Sequence, residues 1–72
     1  MEYKVWYYGL PDVEETPFMD FADAEALAVE TLTEASKDVT VEAGARIVGS
    51  ANAGARTLSE YALLNGTVEK LI

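Results

Sequence analysis

The run Phe21–Lys37, FADAEALAVETLTEASK, constrains this chain more than any other stretch. Ala24, Leu27, Ala28, Thr31, Leu32 and Ala35 recur at the three- and four-residue spacing of a single helix face. Glu25, Glu30, Thr33, Glu34 and Lys37 fall on the other side, and no Gly or Pro interrupts the run. Asp23 is the expected N-cap, its carboxylate accepting from the first free backbone N–H groups. Phe21, just ahead of it, would staple the entry of the chain onto the core. Asp20 and Glu25 suit the positive end of the helix dipole, and Lys37 the negative end. The apolar stripe is mostly alanine, so a sheet can approach it closely. Leu27 is an expected core residue, and Leu27→Ala is expected to cost roughly 2–5 kcal/mol.

The flanking segments read as strands and turns. In Met1–Tyr8 the odd positions Met1, Tyr3, Val5 and Tyr7 alternate with Glu2, Lys4, Trp6 and Tyr8. The odd face is expected to meet the helix, leaving Trp6 and Tyr8 on the other. Leu10-Pro11-Asp12 reads as a turn, and Thr16–Phe21 as a short edge strand whose Pro17 is tolerated at its start. After a connection at Ser36–Asp38, Val39–Ala43 alternates as a strand, Gly44 suggests a turn or bulge, and Arg46–Ala51 is a second strand. Gly49–Thr57 reads as a hairpin loop. Thr57–Leu64 is open to two readings. Thr57-Leu58-Ser59-Glu60 fits a helix capping box, but Asn65-Gly66 is the strongest two-residue hairpin signal. Across that turn Leu63 would face Val68, Tyr61 would face Lys70 and Ser59 would face Ile72, which makes one coherent apolar face and favours the hairpin. The expected fold is α+β: a small antiparallel sheet of four to five strands with one long α-helix packed on one face. Its order is a strand, an edge strand, the helix, and then the remaining strands.

Residues 1–72 suffice for one small domain with a modest core. Half of the residues are hydrophobic, too many for a disordered segment. The charge is placed unevenly. Asp12, Glu14, Glu15, Asp20, Asp23, Glu25, Glu30 and Glu34 follow one another with no basic residue among them. The other five acids are balanced by the five Lys and Arg residues, so the net charge of −8 lies in one loop and one helix. Such a field opposes direct contact with nucleic acid or anionic lipid. The absence of cysteine fits a reducing compartment. No stretch reads as a signal peptide or an apolar span of about 18 residues, so a cytoplasmic protein is expected.

The chemical motifs are weak. With neither His nor Cys, the commonest general base and the thiol nucleophile are missing, and no enzymatic activity is expected. Asp12, Glu14 and Glu15 lack the spaced pattern of a calcium loop, so no metal is expected. Gly49 and Gly54 have the spacing of a phosphate-binding loop, but Ala55 and Arg56 stand where Lys and Ser or Thr are required. A dinucleotide-binding G-x-G is also missing, so no cofactor is expected.

Interaction with a protein is the remaining reading. The first form uses an acidic face of Asp12, Glu14, Glu15, Glu25, Glu30 and Glu34 to occupy the basic surface of a partner, such as a nucleic-acid-processing complex, with carboxylates in place of phosphates. In size, acidity and compactness alone the chain resembles small acidic inhibitors from phages and mobile elements. The second form uses Trp6 and Tyr8 with a sheet edge, forming a homodimer or a subunit of a larger assembly.

Overall fold

A computed structural model describes residues 2–14, 16–49 and 57–72. In it the helix expected from the alanine-rich stripe is α1, Phe21–Ala35. It starts three residues earlier than the sequence suggested. Asp20, not Asp23, is the N-cap: its carboxylate accepts from the Asp23 backbone N–H at 3.0 Å. Spacing could not choose between the two aspartates. Starting at Phe21 extends the buried stripe and sets the Phe21 ring edge-on against Tyr3 at 5.1 Å. Ser36 closes the helix, its hydroxyl donating to the Thr33 carbonyl.

Among the described residues four strands form one antiparallel sheet: β1 (Tyr3–Tyr8), β2 (Ala43–Gly49), β3 (Thr57–Leu64) and β4 (Thr67–Lys70), in the order β1-β2-β3-β4. The fold is thus α+β, with α1 packed across one face. Val5, Ala45, Ile47 and Leu63 from the sheet close on Ala24, Ala28 and Leu32 from the helix. Alanines on both sides let the two layers meet closely. Leu32 is fully buried, whereas Leu27 lies at the margin of the core.

Among the described residues the two expected strands, Val39–Ala43 and Arg46–Ala51, are replaced by the single strand β2, and the last two residues of the second, 50 and 51, lie outside them. Val39 and Thr40 belong to a turn in which the Asp38 carboxylate accepts from both the backbone N–H and the hydroxyl of Thr40. Gly44 makes no turn. It continues the strand opposite Tyr8, and the Tyr8 ring occupies the space its side chain would need. The expected edge strand at Thr16–Phe21 reduces to a single bridge, Tyr3 with Met19. The expected loop Gly49–Thr57 lies mainly in residues 50–56, outside the described residues.

The C-terminal hairpin forms in the expected register. Tyr61 pairs with Lys70 and Leu63 with Val68. Beyond Lys70 the expected pairing of Ser59 with Ile72 is replaced by backbone bonds between Ile72 and Glu60, and Ser59 reaches the Ile72 carbonyl through its hydroxyl at 2.9 Å. Asn65 (φ 53°) and Gly66 (φ 76°) both adopt the left-handed backbone that a tight two-residue hairpin demands. Thr57–Leu64 is therefore strand, not helix.

Candidate functional site

The acidic candidates divide between two sides of the helix. Asp12 and Glu14 are exposed on the loop after β1, and Glu30 and Glu34 are exposed on α1. Loop and helix meet around a shallow hollow lined by Leu10, Val13, Glu30, Thr31, Glu34 and Ala35. The turn that carries the loop is closed by the Val13 N–H donating to the Leu10 carbonyl at 3.2 Å. The Tyr7 hydroxyl donates to Thr31 beneath this region. Burial, opposed by the Thr31 bond and assisted by the charge of Glu30, raises the Tyr7 pKa. Glu34 is also engaged by Lys37 at 3.0 Å, a well-exposed pair of little energetic weight. Glu15 lies outside the described residues.

Glu25 does not join this group. At 100° per residue it sits about 140° and 180° round the helix from Glu30 and Glu34. There it accepts from the Tyr61 hydroxyl at 2.5 Å and from Lys70 at 3.1 Å. The Tyr61 hydrogen bond, followed by that from Lys70, holds its carboxyl below the usual glutamate range. Its chemistry is that of a strut between α1 and the C-terminal hairpin.

The aromatic candidates share one side of the sheet. Because α1 packs against Val5, Ala45 and Leu63, the alternate positions point away from it. Among the described residues no helix or strand covers that outer face. It carries Trp6 and Tyr8 of β1, Arg46 of β2, Glu60 and Leu64 of β3, and Leu71, which follows β4 and donates its backbone N–H to the Glu60 carbonyl. Trp6 remains 49% exposed and Tyr8 43%, with Leu64 and Leu71 at 51% and 52%. For comparison, Val5, one position before Trp6, is 0% exposed.

Tyr8 is fixed in place. Its ring lies across Gly44, its hydroxyl donates to Glu60 Oε2 at 2.9 Å, and the Arg46 guanidinium stands 5.4 Å from the ring centroid. Arg46 Nε donates to the same carboxylate oxygen at 3.4 Å. Burial and the Glu60 hydrogen bond raise the Tyr8 pKa, so the phenol keeps its proton. Trp6 stands beside this cluster and lines a small hollow with Tyr7, Tyr8 and Arg46. A second hollow on the same side runs between Ala62, Leu64, Glu69 and Leu71. Sequence reasoning found the two aromatics but did not set Arg46, Glu60 or Leu71 beside them. The period-two pattern of the C-terminal hairpin was enough to put Glu60 and Leu71 on one face. Nothing local could put them beside Trp6.

The edges of the sheet are less open than this face. On β1 the backbone groups of Tyr3 exchange hydrogen bonds with Met19 at 2.7 and 2.6 Å. Val5 donates to the Thr16 hydroxyl and accepts from the Thr16 N–H. The other edge, β4, is four residues long and ends in Glu69 and Lys70, features that discourage strand addition. Among the described residues no cluster of three or more potential ligands is arranged to hold a metal ion, and no helix is long and apolar enough to cross a membrane. In comparisons with known proteins, no family model, curated protein or solved structure matches this chain.

Proposed function

We propose that this chain is a non-catalytic protein-interaction module that docks through the outer face of its sheet, with Trp6 and Tyr8 as anchors. The observation that carries the reading is that two large aromatics stay about half exposed on a sheet face that, among the described residues, no helix or strand covers. Half of a tryptophan side chain is about 120 Å² of mostly apolar surface, and its removal from water contributes about 3 kcal/mol. The Tyr8 ring is already held by Gly44, Glu60 and Arg46, so docking on it costs little ordering entropy. Exposed aromatics on a rigid scaffold have the character of interface hot spots.

A second reading has its own support. Glu30 and Glu34 lie across a hollow from the loop that holds Asp12 and Glu14, giving one strongly negative flank around Leu10 and Val13. Such a flank suits the basic surface of a nucleic-acid-processing complex, as an inhibitor from a phage or mobile element would use it. Glu25, tied to Tyr61 and Lys70, has no part in this reading.

One experiment separates the two. Tagged wild type, Trp6→Ala and the double variant Glu30→Gln/Glu34→Gln are used to capture partners from lysate of the source organism or its host, with low- and molar-salt washes. Docking through the outer face predicts capture that survives molar salt and is lost with Trp6→Ala. Capture that fails in salt and depends on Glu30 and Glu34 would replace it with the acidic reading.

A further inference from the structure

We propose that the occupant of the outer face is a second copy of this chain, stacked sheet on sheet about a two-fold axis parallel to the strands. The inference rests on the reading of this face as the docking surface. Its basis is the order of side chains in one row across the sheet. Trp6 pairs with Arg46 and Arg46 with Glu60, and the Glu60 carbonyl accepts from the backbone N–H of Leu71 just beyond β4. The row therefore reads apolar, cation, anion, apolar.

A two-fold axis parallel to the strands reverses such a row onto itself. It lays β1 over β4 of the second copy, and β2 over β3. Trp6 then meets the second copy's Leu71, and Arg46 meets its Glu60, each contact occurring twice as an isologous interface requires. An axis across the strands would set Arg46 on Arg46 and Glu60 on Glu60. The order of the row thus selects one of the two symmetric ways of stacking these faces.

The charge distribution points the same way. The outward positions of the strands hold Lys4 and Arg46 against Glu60 and Glu69, a balanced set on a chain of net charge −8. A strongly basic partner would be drawn to the acidic flank instead, and an acidic one would be repelled by the whole molecule. Two copies stacked here point their acidic helices outward. With about 10 Å between stacked layers, the two helices lie about 30 Å apart, roughly three Debye lengths at 0.1 M salt. The sheet measures roughly 20 by 25 Å, which side-chain relief raises toward the roughly 800 Å² that each member of a stable pair contributes.

The test is a charge-reversal mixing experiment on the full chain. Arg46→Glu makes the centre of the row all acidic, and Glu60→Arg makes it all basic. In both variants the pair within each chain is broken, so only contact between chains can restore attraction. Sedimentation equilibrium and the emission of Trp6, the sole tryptophan, are read from about 1 µM to about 1 mM. Circular dichroism checks that each variant is folded. The wild type is expected at twice the 7.8 kDa chain mass, with Trp6 emission shifting to the blue as concentration rises and no loss of association in molar salt. Each variant alone is expected to associate about a hundredfold more weakly. Their equimolar mixture is expected to form a heterodimer. A wild type monomeric at about 1 mM overturns the second copy as occupant. If Trp6→Ala still abolishes salt-resistant capture of a partner, the docking face itself stands; if capture is unchanged, both fail. A wild-type dimer indifferent to both reversals, or variants that do not pair when mixed, overturns the stacked arrangement.

Discussion

Gly44→Ala probes how the outer face is built. Gly44 lies mid-strand in ordinary extended backbone, where alanine is normally favourable by about 0.5–1 kcal/mol because the unfolded chain loses freedom. Here the added methyl meets the Tyr8 ring. The obstacle is the far end of a side chain that is 43% exposed, so the ring can swing toward solvent while the backbone stays in place. Swinging out breaks the 2.9 Å bond to Glu60 and the contact with Arg46. A partly exposed bond to a carboxylate contributes about 1 kcal/mol or less once solvent competes for it. Gain and loss nearly cancel, so the net change is expected within about 1 kcal/mol of zero. The face changes far more than the stability does: the flat tyrosine platform becomes a projecting, mobile ring beside Trp6. Urea denaturation followed by far-ultraviolet circular dichroism gives the stability. Near-ultraviolet circular dichroism and the tyrosine ring resonances report the lost platform, and association should weaken with it. A loss of stability as large as that of a core truncation would show that β2 itself had been displaced. A variant that kept the Tyr8–Glu60 contact would show that the ring does not need the space over Gly44.

Leu32→Ala is expected to cost roughly 2–5 kcal/mol, because Leu32 is fully buried between helix and sheet, whereas Leu27→Ala at the edge of the core should cost clearly less; urea melts of the two variants give the order directly. Glu25 has its pKa lowered by Tyr61 and then Lys70, so its ionised form is favoured by folding. That stabilisation is complete above the pKa of an unfolded glutamate, about 4.3, and is lost as pH falls through the lower folded value. Glu25→Gln should therefore lower stability at neutral pH and flatten the acid limb, and thermal melts that keep the wild-type slope between pH 5 and 2 would remove Glu25 from that role. Gly66→Ala forces a side chain into left-handed backbone at φ 76°, 3.3 Å from Val39, and should cost about 1 kcal/mol or more, read as a lower melting temperature.

Features governed by neighbours in the chain were determined by the sequence itself. The helix followed from an alanine and leucine stripe of period 3.6, and the C-terminal hairpin with its pairings followed from Asn65-Gly66 and a period of two. The alternation in β1 likewise separated Val5 from Trp6 and Tyr8. Each of these depends on hydrogen bonds and side-chain directions set within a few residues. Contacts between distant residues were decided only by the tertiary structure. Gly44 looks like a turn until Tyr8, thirty-six residues earlier, lies across it. Glu25 looks like one of an acidic series until Tyr61 and Lys70 claim it from the opposite flank of the helix. The row from Trp6 through Arg46 and Glu60 to Leu71 depends on the register between β1, β2 and β3, which no local pattern encodes. That register settles when the helix buries one face of the sheet, and the same packing leaves Trp6 and Tyr8, on the other face, about half exposed to water.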